Sequence, residues 1–222
     1  TNSPDLRGID VALLYQRDLF KLLSSRSISI PPLKQYRPTR DLLHVSGLLL
    51  TGDTLDVFVC HLPSRSGGAK ESESYRLYAA HILRMEVDSI MSIRSLPQVI
   101  IMGDFNDYPT NQSIQKILEA EAPPVTTNNL ASTTGSTNFS TVAPSSLKLY
   151  HLLARKAKSK DFGSYKYRGE WGLLDHLIVS GTLLNQSNHF FTSEEKANVC
   201  LLPFLLKDDE KYGDKEPFRT YK

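Results

Sequence analysis

The feature that most constrains this chain is the short apolar run Gln98–Met102 (QVIIM), set off from a long helical stretch by Pro97 and closed by Gly103-Asp104. A strand with no polar alternation is buried on both faces. Such a strand needs a layer above it and a layer below it, so it belongs inside a sheet covered by helices. The segments ahead of it supply candidates for those layers. Leu42–Leu50 and Leu55–His61 read as two strands, and Thr51-Gly52-Asp53 joins them as a hairpin connection. A Gly-rich loop at Ser66–Ala69 leads into one long helix, from about Glu71 to Ile93. On it Tyr75, Tyr78, Ala79, Ile82, Leu83, Met85, Val87 and Ile90 make an apolar face, against a polar face of His81, Arg84, Asp88 and Ser92.

Other elements follow from local pattern. Gly8–Tyr15 (GIDVALLY) reads as a buried strand and Gln112–Ala120 as a short helix. Ala122–Ser146, rich in Thr, Ser, Asn and Pro, reads as a long surface loop. Leu147–Ala157 has helical spacing, Tyr165–Tyr167 and Leu174–Val179 read as strands, and Asn198–Leu206 as a strand or extended apolar segment. No repeat period and no second core emerge. The order predicts one α+β domain over residues 1–222, with helices packed on mixed sheets.

Composition bounds the function. The 222 residues carry 26 basic and 24 acidic side chains, a net charge of +2 that does not by itself predict a nucleic-acid partner. Two cysteines, Cys60 and Cys200, are too few for a disulfide scaffold or a cysteine metal site. No stretch approaches the ~18–20 apolar residues of a membrane helix. The opening Thr1-Asn2-Ser3-Pro4 and closing Phe218–Lys222 carry no start or stop pattern. The expectation is a soluble segment of a longer protein, cut at both ends, with room for a signal peptide ahead of it and the compartment left open.

Three segments carry chemistry. In Gly103-Asp104-Phe105-Asn106-Asp107 a buried strand delivers a carboxylate and an amide into the turn at its end. Extended-chain alternation would place Asp104 and Asn106 on one side and Phe105 in the core. That pair can hold a divalent cation or an attacking water and hydrogen-bond a phosphoryl oxygen; it also fits an Asx-rich turn. In Val59-Cys60-His61-Leu62-Pro63-Ser64-Arg65, His61 can donate to a leaving or anionic oxygen, or serve structure alone, while Ser64, Arg65 and the Gly67-Gly68 backbone can receive phosphate oxygens. In Arg168–Ser180 (RGEWGLLDHLIVS), Asp175 opens an apolar strand, well placed to orient an imidazole, and His176 should point to the other face as a half-exposed strand histidine.

Together, in this order and at these intervals, the motifs resemble the endonuclease/exonuclease/phosphatase superfamily of metal-dependent hydrolases. Arg7–Tyr15 (RGIDVALLY) is similar to an early strand of that family, and the resemblance runs from about Asp5 to Ser180. It implies a four-layer α/β/β/α sandwich of two mixed β-sheets with flanking helices. It implies that Asp104 and Asn106 activate the nucleophile, stabilise the phosphoryl transition state and meet the metal, Mg²⁺ or Mn²⁺. His61 matches a histidine set against the phosphate, and Asp175 a carboxylate that orients the catalytic histidine. Arg7, Ser64, Arg65 and Trp171 are the expected phosphate and substrate contacts. The family's early Asn and metal-binding Glu, and its terminal Ser-Asp-His, have no counterpart in these 222 residues. The expectation is therefore a metal-dependent phosphoesterase whose segment alone is poorly active, its histidine partner for Asp175 lying beyond Lys222. The rival reading is an inactive member serving as a binding or scaffold domain. A small-molecule, lipid-linked or nucleic-acid phosphoester is the expected partner, acted on by a monomer with no stable protein partner.

Overall fold

Strand alternation and cross-strand pairing set the architecture. The structure is a computed structural model that describes residues 1–125 and 144–218. The strands are β1 (Phe20–Ile28), β2 (Leu42–Leu49), β3 (Thr54–His61), β4 (Gln98–Asp104), β5 (Leu149–His151), β6 (Tyr165–Tyr167), β7 (Glu170–Gly172), β8 (Asp175–Ser180), β9 (Leu206–Asp208) and β10 (Lys215–Pro217). Six of them form one mixed sheet in the order β1-β2-β3-β4-β8-β5, and β6-β7 and β9-β10 form two short ribbons. Only β3 and β4 pair in parallel, joined by the helix α1 (Glu73–Ile93); every other neighbour in the large sheet is antiparallel.

Each face of the sheet has its own core. On β3, Phe58 and Cys60 face a core shared with Leu83, Val87 and Ile90 of α1, Phe105 and Ile178. Val57 and Val59 face the other core, with Val45, Tyr150, Leu152, Val179 and Leu183. This is period-2 alternation buried on both sides, and it confirms the layered α/β sandwich. α1 buries Tyr75, Ala79, Ala80, Leu83, Val87, Ile90 and Met91. Met85 lies off that stripe and is 59% exposed, so it leaves the apolar face assigned from spacing. Arg94 closes the helix and reaches back to Asp56 on β3, at 2.8 Å. Burial pushes the Asp56 carboxyl up, but hydrogen bonds from His44, Arg94 and Ser46 outweigh it and hold it down at about 2.

Three local readings change. Gly8–Tyr15 forms no strand: Val11 is its one buried residue and Leu14 is 96% exposed. β2 already pairs on both sides, with β1 and β3, and a strand exists only where a ladder partner exists. β1 forms instead, although seven of its nine residues are exposed. Leu147–Ala157 is not a helix; its start pairs with β8 as β5, and only Lys156–Lys158 makes a 3₁₀ turn. The helix at Gln112–Ala120 shrinks to a π-helical turn at Ser113–Ile117. Asn198–Leu206 is extended, ending in a 3₁₀ turn at Pro203–Leu205. The long loop lies mostly outside the described residues. Among the described residues no helix is long and apolar enough to cross a membrane.

Candidate active site

Three strands end at the same edge of the large sheet, and their register assembles the site. His61 closes β3, Asp104 closes β4 and Asp175 opens β8. His61 pairs directly with Asp104, and Asp104 directly with Asp175. Directly opposed residues project to the same side of a sheet, so the three groups form one transverse row. Gly103 makes the close approach possible: its φ is +128°, and a Cβ there would fall 2.0 Å from the Cys60 carbonyl oxygen. The chain then leaves the strand. Phe105 is fully buried, and Asn106 takes a left-handed φ of 52°, which Asn tolerates better than most residues. The Asn106 backbone N–H donates to Asp104 Oδ1 at 2.8 Å, and its Nδ2 donates to the Leu62 carbonyl at 3.0 Å. Asp104 and Asn106 therefore meet through a turn, not through strand alternation.

Beneath this row the turn is anchored by buried polar groups. Arg76 of α1, 1% exposed, donates to Asp107 Oδ1 at 2.7 Å, and Ser113 Oγ donates to Asp107 Oδ2 at 2.7 Å. His176 is not half-exposed but 3% exposed, on the core side of β8. The Leu153 N–H donates to His151 Nδ1, so His151 carries its proton on Nε2 and donates it to His176 Nδ1. His176 in turn donates from Nε2 to the Asp107 carbonyl at 2.8 Å. Burial pushes His151 down to about 3 and His176 down to about 4, so both rings are neutral and the chain of donors is complete.

The row itself is less satisfied. His61 Nε2 stands 3.6 Å from Asp104 Oδ2, beyond a hydrogen bond. Burial, with help from the Arg40 and Arg7 charges, pushes His61 down to about 4. Burial and the nearby Asp175 charge push Asp104 up to about 6, against the Asn106 N–H, which pulls it down. At neutral pH His61 is thus a neutral imidazole and Asp104 a carboxylate.

The remaining expected residues divide. Arg7 and Ser64 line a 440 Å³ cleft whose lining includes none of the row residues, and there Arg7 pairs with the buried Asp5 at 3.0 Å. Arg65 braces the turn: Nε donates to the Asn106 carbonyl at 2.6 Å and its guanidinium lies over the Tyr108 ring at 4.5 Å. Trp171 is not brought to the row; it lines a separate 920 Å³ cleft beyond Tyr108, because β7 pairs with β6 and not with the large sheet. Arg40 was missed by sequence reasoning. It is 2% exposed, bonds Asp5 at 3.1 Å and donates to the Leu62 carbonyl at 2.7 Å, the same oxygen that Asn106 uses. Its only signal was a polar Thr39-Arg40-Asp41 immediately before an apolar strand.

The donor set suits a hard divalent cation. Asp104, Asp175 and the Asn106 amide oxygen are oxygen ligands of the kind Mg²⁺ and Mn²⁺ take. The facing carboxylates repel, which contributes to the raised proton affinity of Asp104, and a divalent cation would relieve it. Among the described residues no group of three or more His, Cys, Asp and Glu side chains is placed to hold a metal, so the fit is to part of a coordination shell.

Comparisons with known proteins bear on the fold and the family. A search of curated protein sequences gave no match. Among solved structures, ANGEL2, a 2′,3′-cyclic phosphatase, is 13% identical, over 75% of this chain and 56% of that one, with a TM-score of 0.51. The catalytic domain of human Nocturnin with bound sulfate is 20% identical, over 75% and 50%, at 0.49. A mannosyl-6-phosphatase of Bacteroides thetaiotaomicron is 16% identical, over 75% and 52%, at 0.47. The chain spans about half the length of these structures. At such identities the likeness speaks to the fold alone. The model of the Endonuclease/Exonuclease/phosphatase family matches residues 1–222, and the chain belongs to that family.

Proposed function

We propose that this chain supplies part of the active site of a divalent-metal-dependent phosphoesterase, acting by in-line attack of water at phosphorus. The observation that carries the reading is the row His61–Asp104–Asp175, held in one register across β3, β4 and β8 with Asn106 folded back beside it. Asp104, ionised above about pH 6, accepts the proton of the attacking water. Asn106 keeps one Nδ2 hydrogen for a non-bridging phosphoryl oxygen, since only the other is used by Leu62. His61, neutral, donates a hydrogen bond to the same developing anion. Asp175 is exposed, and no imidazole among the described residues hydrogen-bonds it; its role is to orient one that protonates the leaving oxygen. A bound Mg²⁺ or Mn²⁺, held by Asp104 and Asn106, would offset charge on the phosphoryl group.

The substrate reading stays at the level of a phosphoester, small, lipid-linked or nucleic acid, acted on by a monomer without a stable protein partner. A second reading, an inactive binding or scaffold domain, is favoured by the lack of a three-ligand group among the described residues. One panel separates the two. Plasmid DNA, sphingomyelin, inositol phosphates and p-nitrophenyl phosphodiesters are assayed with Mg²⁺, using the 222-residue chain and any longer natural form. Turnover abolished by Asp104→Ala supports the enzyme; no turnover of any substrate by the longer form supports the binding domain.

A further inference from the structure

The 440 Å³ cleft that follows β3, at Pro63 and Ser64, is lined also by Arg7, Arg37, Arg40, Thr39 and Tyr75, among others. Three arginines face one acidic lining residue, Asp5, so the wall is cationic. Three atoms of its lining residues are buried and have no hydrogen-bond partner among the described residues: Thr39 Oγ1, Arg40 Nε and Tyr75 Oη. Thr39 and Arg40 are each 2% exposed and Tyr75 is 3% exposed. Buried donors without acceptors are costly and rare, and three along one cleft are rarer still. Their chemistry is uniform: one guanidinium N–H and two hydroxyls, each able to donate to an anionic oxygen.

The position of these groups is fixed by structure around them. Tyr75 stacks on Tyr36 at 4.9 Å between ring centroids. Arg40 is clamped by Asp5 on Nη1 and the Leu62 carbonyl on Nη2, which leaves Nε as the donor without a task. Because Asn106 also donates to the Leu62 carbonyl, one oxygen atom links this cleft to the row that we read as catalytic. A guanidinium N–H and two hydroxyls on a cationic wall are the donor types that an oxyanion takes.

We propose that this cleft is a subsite for a phosphate group of the substrate other than the one being cleaved. The assignment rests on the phosphoesterase reading for the word substrate, but not for the binding itself. It predicts a preference for phosphoesters that carry a second phosphate.

The test measures binding, on the 222-residue chain, with inorganic phosphate, glucose 6-phosphate and glucose 1,6-bisphosphate as probes in isothermal titration. The bisphosphate should bind at least about tenfold more tightly than the monophosphate. Thr39→Val and Tyr75→Phe, each close in shape to the native residue, should each weaken inorganic phosphate by about tenfold, the scale of one hydrogen bond to a charged group. Together they should close the gap between the two sugar phosphates. The Arg40 Nε–H resonance should shift downfield, saturably, as phosphate is added, and this readout needs no variant to fold. Phosphate affinity unchanged by Thr39→Val and Tyr75→Phe would overturn the subsite, as would an Arg40 resonance that does not move. Binding lost only on His61→Ala would move the ion to the row. A bisphosphate that binds no tighter than inorganic phosphate would overturn the substrate assignment. A longer natural form that shows the expected binding and turns over no substrate refutes the enzyme reading alone, and hydrolysis without this binding refutes the subsite alone.

Discussion

Two polar clusters sit within a few residues of each other at the end of the large sheet, and they are built on opposite terms. Beneath the turn, Asp107 is matched by Arg76 and Ser113, and the donor chain from Leu153 through His151 and His176 ends on the Asp107 carbonyl. Every charge and proton there has a partner, so this cluster resists change. In the row above it, His61 and Asp104 are too far apart to bond, at 3.6 Å, and burial pushes each toward its neutral form. The lower cluster holds the backbone in place; the upper one keeps its bonding capacity unspent. A site that must bind a charged reactant needs both, since preorganised donors stabilise a transition state only if their positions are already fixed.

The sharpest way to break this contrast is Asp104→Ala in whichever form turns over substrate. Activity should fall by about 10²- to 10⁴-fold or more, the range for a positioned acid-base group, while Tm holds or rises, because a carboxylate disfavoured by burial has been removed. Activity reduced less than about threefold would sink the assignment. Asp107→Ala should do the reverse. It leaves buried Arg76 without its counter-charge, a loss of about 3–5 kcal/mol, or roughly 10 °C in Tm for a domain of this size. Thermal unfolding checks it, and a shift of only a degree or two would mean that the lower cluster is not what holds the turn.

His61→Ala should reduce kcat by about 10²-fold, as for loss of one preorganised donor; a fall in Tm with kcat unchanged would place His61 in the lower, structural class. The histidine pair gives a pH signature. Both folded values, about 3 and about 4, lie below the ordinary 6.5. Above pH 6.5 the pair costs nothing. As pH falls from 6.5 toward 4 the unfolded chain takes up protons that the native state refuses, so stability declines. Denaturant titrations across that window should show the slope, and His151→Gln with His176→Gln should flatten it. The smallest effect belongs to Asp175→Asn in the 222-residue chain. With one of the charges that raise it removed, the Asp104 midpoint should move below its value of about 6, as read from carboxylate ¹³C shifts.

Much of the sheet centre was legible in the sequence because its signals are local. Leu42–Leu50, Leu55–His61 and Gln98–Met102 are apolar runs bounded by turn residues, and they appear as β2, β3 and β4 nearly unchanged. The Gly-Asp-Phe-Asn turn also carries its own instructions, in a glycine where a Cβ would strike Cys60 and an asparagine at positive φ. Gly8–Tyr15 and Leu147–Ala157 misled for a common reason: one has the composition of a strand and the other the spacing of a helix, but both were decided by which partner was free to pair.

By itself, then, the sequence determined the family and the strand ends at which the candidate site residues stand. The tertiary structure alone decided who stands beside whom. It paired Asp104 with His61 and Asp175, turned His176 inward to hold Asp107, sent Trp171 to another cleft and brought Arg40, Thr39 and Tyr75 to one wall. The physical reason is that apolar pattern and turn preference act over a few neighbouring residues. Register, burial and the proton affinities that follow from them depend on atoms contributed by segments far apart in the chain.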